Sequence, residues 1–72
     1  MKRFSPRILR EKRYAAGMRQ ERLAVESDLS VYSVVGYERG RWVPRADSLD
    51  ALAHALGCPI DDLFENDNTG GT

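Results

Sequence analysis

The sequence predicts an all-α domain built from five short helices packed as a compact bundle. Three observations lead there. In Ala46–Leu56, Leu49, Leu52, Ala53 and Leu56 recur at spacings of three and four, the period of a half-buried helix. Gly17, Gly40 and Gly57 each stand where a helical stretch stops. The one stretch rich in strand formers, "LSVYSVVGYERGRW" (Leu29 to Trp42), has no hairpin partner nearby.

Met1–Ser5 reads as a short basic arm. Pro6 suits a first helical position behind Ser5 as N-cap, and Arg7–Ala16 forms the first helix before Gly17 ends it. Gln20–Ser27 is a short second helix that turns Leu23 and Ala24 inward. Arg19 stands where Ser or Thr would cap it, at a cost of about 1 kcal/mol but with a charge for a phosphate. Asp28-Leu29 leaves room only for a tight turn, and Asp tolerates positive φ better than most residues. Ser30 caps the element after it. Gly40 stops that element, and Pro44 keeps "GRWVP" from becoming helical. Ala46–Leu56 is the fourth helix. Ile60–Phe64 adds one or two turns that bring Leu63 and Phe64 to the core. The ending "ENDNTGGT" is polar and glycine-rich, and fraying is expected there. The chain thus divides into a basic arm at 1–5, a folded domain at 6–65 and a flexible polar tail at 66–72.

The central stretch is better a helix than a strand. Strand alternation would bury Ser33 and expose Val34, whereas a helix places Val31, Val34 and Tyr37 on one inward face. Packing then overrules local preference, including the roughly 1 kcal/mol that Gly36 forfeits against alanine. Two helices joined by a tight turn have the spacing of a DNA-binding helix-turn-helix.

Charge agrees with a polyanionic partner. The formal net charge is zero, but residues 1–45 carry all eleven bases against five acids, a net +6. Residues 46–72 carry six acids and no base. Such a chain can offer a cationic face to nucleic acid and remain soluble. Seventy-two residues allow one domain. Cys58 is the only cysteine, so an internal disulfide is excluded and a reducing cytoplasm is the simpler setting. No apolar run approaches a membrane span, and no membrane partner is expected.

The segment "MRQERLAVESDLSVYSVVGYERGRWVPRADSLDALAHALGCPIDDLF", with "LREKRYAAG" before it, resembles the helix-turn-helix domain of the Cro and phage-repressor type, the XRE family. The resemblance spans residues from about 6 to 64 and rests on Gln20, "LA" at 23–24, "YERG" at 37–40, Pro44, "LAHALG" and "DDLF" together. It implies a lambda-repressor-like five-helix fold whose third helix enters the major groove of double-stranded DNA. Carried over, Gln20 would hold a phosphate and orient the reading side chains. Arg13 and Glu38 would form a structural pair between the first helix and the end of the third. Arg19, Ser30, Arg39 and Arg41 would lie along the DNA backbone. Val31, Tyr32, Ser33 and Gly36 fall on the base-reading positions.

Those reading residues depart from the glutamine-rich helices of some repressors. None makes the bidentate bonds by which Arg, Asn or Gln read guanine or adenine. Val31 can pack on a thymine methyl, the Tyr32 and Ser33 hydroxyls can reach a base edge or a phosphate, and Gly36 would let the backbone lie close. A second reading makes Val31, Tyr32 and Val35 a protein-binding patch, as in an antitoxin or a regulator subunit, with tyrosine as anchor. The basic half of the chain favours DNA.

The expected function is therefore a sequence-specific transcriptional regulator, a repressor before an activator, acting sterically as a homodimer on a pseudo-palindromic site. No enzyme is expected, since no general base or glycine-rich phosphate loop accompanies the acids. No cofactor, metal or small-molecule effector is implied. His54 lacks partners at ligand spacing and reads as an exposed or half-buried helix residue, Cys58 as a small core residue, and Trp42 as filler between its loop and the third helix.

Overall fold

The computed structural model describes residues 1–66. Ser5 opens the first helix, α1 (Pro6–Ala15): its hydroxyl accepts the Ile8 N–H at 3.1 Å, and Pro6 comes next, where a missing N–H forfeits no bond. Ser5 is itself buried, and its own N–H donates to the Leu63 carbonyl at 3.0 Å. One residue thus starts a helix and ties it to the far end of the chain. Ser5→Ala should lower stability by about 1 kcal/mol. A thermal midpoint equal to that of the parent chain would show that the cap contributes nothing.

Three more α-helices complete the helical part: α2 (Gln20–Ser27), α3 (Val31–Arg39) and α4 (Ala46–Leu56). Each ends on a left-handed residue, where the chain must reverse. At Gly40 and Gly57 glycine meets that requirement without strain. Between α2 and α3 it is met by Asp28, at φ 58°, the one described non-glycine residue with positive φ. The turn expected at Asp28-Leu29 is therefore present, and it is as short as a helix-turn-helix needs.

The core takes Leu9 from α1, Leu23 and Ala24 from α2, Val34 and Tyr37 from α3, and Leu49, Leu52 and Ala53 from α4. The helical reading of the strand-like stretch holds, with one adjustment. Val34 and Tyr37 are buried as expected, but Val31, at the start of the helix, is 41% exposed.

The ends of the chain depart from expectation. The fifth helix is a single 3-10 turn, Ile60–Leu63, and Phe64 leaves it in extended backbone. The mostly helical fold stands, but a fifth α-helix does not. Lys2–Phe4, expected as a basic arm, is strand β1, and it pairs antiparallel with β2 (Phe64–Asn66) in the register Lys2↔Asn66, Arg3↔Glu65, Phe4↔Phe64. Burial of Phe4 explains the order: an apolar side chain at the end of a basic arm closes the bottom of the core. Glu65 and Asn66, expected to fray, lie in this sheet; the rest of the expected flexible tail, 67–72, lies outside the described residues.

The same hairpin redirects the charge asymmetry. Glu65 pairs with Arg3 at 3.8 Å and with Arg7 at 3.2 Å, and Asp62 with Lys12 at 3.6 Å. Hydrogen bonds to Glu11 and then Glu65 raise the Arg7 guanidinium above its ordinary range. Part of the acidic segment is thus spent on the basic residues of the first twelve positions. No described helix is long and apolar enough to cross a membrane.

Candidate nucleic-acid interface

The interface begins with how α3 is held. Its N-cap, Ser30, accepts the Ser33 N–H at 3.0 Å and donates its hydroxyl hydrogen to Ser33 Oγ, also at 3.0 Å. This is the cap expected of Ser30, and its one hydroxyl hydrogen is engaged within it. The core face of α3 packs on α2 through Val34 and Tyr37. The opposite face carries Tyr32, 68% exposed, with Val31 beside it and Ser33 half-buried.

The far end of α3 is locked by charge. Arg13 Nε donates to Glu38 Oε2 at 2.6 Å and Nη2 to Glu38 Oε1 at 2.9 Å, a two-pronged contact that fits the planar guanidinium. Arg13 Nη1 donates to the Met18 carbonyl at 3.0 Å, which ties the turn after α1 into the same unit. Both members are nearly excluded from solvent. The hydrogen bond to Glu38 raises the Arg13 pKa, against the opposing effect of burial, so the cation is secure. Tyr14 covers it from outside, its ring centroid 4.6 Å from the guanidinium carbon.

Two further residues join this pair. The Gln20 amide nitrogen donates to Glu38 Oε1 at 3.0 Å, so Gln20 is fastened to the buried acid and fixes the start of α2 against the end of α3. The family resemblance places Gln20 on a phosphate; the structure turns its nitrogen inward and leaves the amide carbonyl uncommitted to Glu38. Arg10 is a residue that the sequence reading misses. Its Nη1 donates to the Glu38 carbonyl, placing a cation at the C-terminal end of α3, where the helix dipole favours one. A sequence signal for it exists: Arg10 precedes Arg13 by three positions and so shares its face of α1. No buried side-chain polar atom among the described residues lacks a partner, so the network is complete.

Around this frame the remaining cations are free of carboxylates. Among the described residues Arg10, Arg19, Arg39 and Arg41 form no ion pair, nor do Lys2 and Arg45 elsewhere, whereas Arg3, Arg7, Lys12, Arg13 and Arg22 do. Arg19 stands at the N-terminus of α2, with no side-chain cap beneath it, and Arg39 and Arg41 stand at the end of α3 and just beyond. A groove of about 610 Å³ lies between α1 and the end of α3, with Arg10, Arg39, Tyr14 and Gln20 on its walls. Glu38 and Glu65 line it too, paired with Arg13 and Arg7, so of its cations Arg10 and Arg39 are the ones without a carboxylate partner.

Gly36 is the clearest correction. It is expected from the resemblance to bring the helix backbone close to DNA, but it is buried beneath the indole of Trp42. Trp42 does fill the loop against α3, and it does so over Gly36. Of the other residues singled out, His54 is exposed, and Cys58 is half-buried against the core, where burial pushes its thiol pKa up. No three His, Cys, Asp or Glu side chains among the described residues gather as a metal site.

Two helices of eight and nine residues, a left-handed turn between them, and an exposed first turn on the second define a helix-turn-helix. Residues 7–65 match the family model of the helix-turn-helix domain. Among solved structures, the restriction-modification controller protein C.AhdI from Aeromonas hydrophila is similar, with 39% identity and a TM-score of 0.80 over 82% of this chain and 89% of that one. The P22 c2 repressor in complex with a synthetic operator has 28% identity and a TM-score of 0.81 over 90% of this chain and 98% of that one. The clp gene regulator ClgR from C. glutamicum has 31% identity and a TM-score of 0.74 over 81% and 75%. No match was found among curated proteins. The chain belongs to the helix-turn-helix domain family, of the Cro and phage-repressor (XRE) type, and is a DNA-binding transcriptional regulator.

Proposed function

We propose that the chain binds double-stranded DNA sequence-specifically by laying the first turns of α3 in the major groove, and that it represses by occupying an operator. The observation that carries this reading is the exposed Val31–Tyr32 turn of α3 together with unpaired Arg19, Arg39 and Arg41 at the ends of α2 and α3. In that pose the arginines grip phosphates on either side, while Val31, Tyr32 and Ser33 face base edges. Gln20 contributes by holding α2 to α3 through Glu38, with its free carbonyl and the N-terminal N–H groups of α2 toward the backbone.

Two copies would bind half-sites about one helical turn apart. Leu56, Cys58 and Ile60, all half-buried at the end of α4 and the turn after it, are apolar groups that a second copy would cover. The direct test is footprinting on the DNA flanking the chain's own gene. Two protected half-sites related by a dyad are expected, and a single unpaired footprint would remove the dimer from this reading.

The salt dependence of binding tests the phosphate contacts. Affinity should fall with salt in proportion to the phosphates neutralised, and Arg41→Ala should reduce the slope by roughly one unit while weakening all sequences alike. Duplex binding that does not change with salt would contradict the proposed grip.

A further inference from the structure

The Trp42 side chain is held in a way that loop filling alone does not require. Tyr32 and Gly36 are four residues apart on α3 and so lie on one face, a turn from each other. A Cβ on Gly36 would fall 2.1 Å from Trp42 Cε2 and 2.2 Å from Cζ2, so only glycine leaves the recess that the indole occupies. The Arg41 N–H donates to the Gly36 carbonyl at 2.9 Å and delivers the next residue, Trp42, over that recess. From there the indole meets the Tyr32 ring at a centroid separation of 5.3 Å and a tilt of 43°, within the range of attractive aromatic pairs.

Tyr32 has little else to fix it. It is 68% exposed, and at the start of a helix an unsupported ring would sample several rotamers. We propose that Trp42, seated in the recess over Gly36, is a positioning residue that sets DNA sequence preference by holding Tyr32 in one orientation toward the groove. Holding a reading side chain in its bound orientation before contact favours the matching sequence, because less freedom is lost on binding. Gly36 then matters to DNA reading through the tryptophan it admits rather than through its own backbone. The inference rests on the proposed function, in which Tyr32 faces base edges, and its test separates the two.

The full 72-residue chain is used to select duplexes from a pool randomised at its centre, and the preferred base pairs are compared across variants. Tyr32→Ala identifies the base pairs that Tyr32 reads. Trp42→Ala and Gly36→Ala should relax preference at those same pairs by roughly three- to tenfold, the equivalent of one aromatic pair. The salt slope should stay unchanged, which a loss of phosphate contacts would not allow. In the Tyr32→Ala background, Trp42→Ala should add nothing. Trp42→Phe keeps an aromatic ring in the loop and should give a smaller relaxation, so it carries the test if the alanine variant does not fold. Retained preference in both Trp42 variants would overturn the positioning role. Relaxation that persists without Tyr32 would also overturn it, since Trp42 would then be touching DNA itself. If Tyr32→Ala alters no preference at all, the groove reading of α3 fails and this inference fails with it.

Discussion

Arg13→Ala is expected to lower stability by about 3–5 kcal/mol, because it leaves the Glu38 carboxylate buried without its cation. A domain of 72 residues has roughly 4–11 kcal/mol in total, so the variant should be largely unfolded at moderate temperature. The size of the effect comes from the charge left behind more than from the bonds removed. In the parent chain Glu38 receives two bonds from Arg13 and one from Gln20; without Arg13 only the Gln20 amide is left to the carboxylate. The Met18 carbonyl loses its donor at the same time. Arg7→Ala is the matched control. Arg7 pairs with both Glu11 and Glu65, yet it is exposed and solvent screens pairs of that kind, so its loss should barely move the midpoint. Lys2→Ala, at an exposed strand position, should change less still. Thermal melts of the three variants decide the matter: equal midpoints would mean that solvent screens the Arg13–Glu38 pair after all.

The second expected result separates reading from folding on one helix. Tyr32→Ala should leave the melting temperature nearly unchanged, since the ring is largely exposed and loses only its contact with Trp42. It should narrow the gap between specific and random DNA by about 1–3 kcal/mol, the usual worth of one base-pair contact. Val34→Ala should do the reverse. Val34 is fully buried, and the cavity left by two methyl groups should lower stability by about 1–3 kcal/mol while a folded fraction still discriminates normally. Val31→Ala should matter most at sites with a thymine beneath it, and replacing that thymine by uracil should mimic the loss. Paired melting and competition binding on these variants check the assignment. Full discrimination by Tyr32→Ala, with loss of a pulled-down protein partner instead, would favour a protein-binding face.

The helices are legible because their signals are local. Ser5 and Pro6, Ser30, Gly40 and Gly57 mark ends through caps and backbone freedom that involve only neighbouring residues. The period of Ala46–Leu56 does the same for its buried face. Of the interface, Arg13 and Glu38 come together through the family resemblance, and the outward position of Tyr32 is the counterpart of the inward one of Val34. Arg10 escapes a sequence reading because its partner is a main-chain carbonyl at Glu38, which residue type does not reveal. Gln20 is recognisable, but its partner Glu38 lies 18 positions away, and nothing local shows that the two are joined within the fold.

By itself, then, the sequence determined the four α-helices, the short turn at Asp28, the helix-turn-helix they make and the side of α3 that faces away from the core. Capping, backbone freedom and hydrophobic period act over a few residues, so they can be read from a few residues. Only the tertiary structure decided that residues 2–4 and 64–66 would pair as a sheet, that Glu65 and Asp62 would neutralise Arg3, Arg7 and Lys12, and that Trp42 would cover Gly36. The sheet and the ion pairs join groups 50 to 64 positions apart, and Trp42 reaches Gly36 across a loop reversal. Such contacts depend on where packing of the core brings the chain, and no local pattern encodes them.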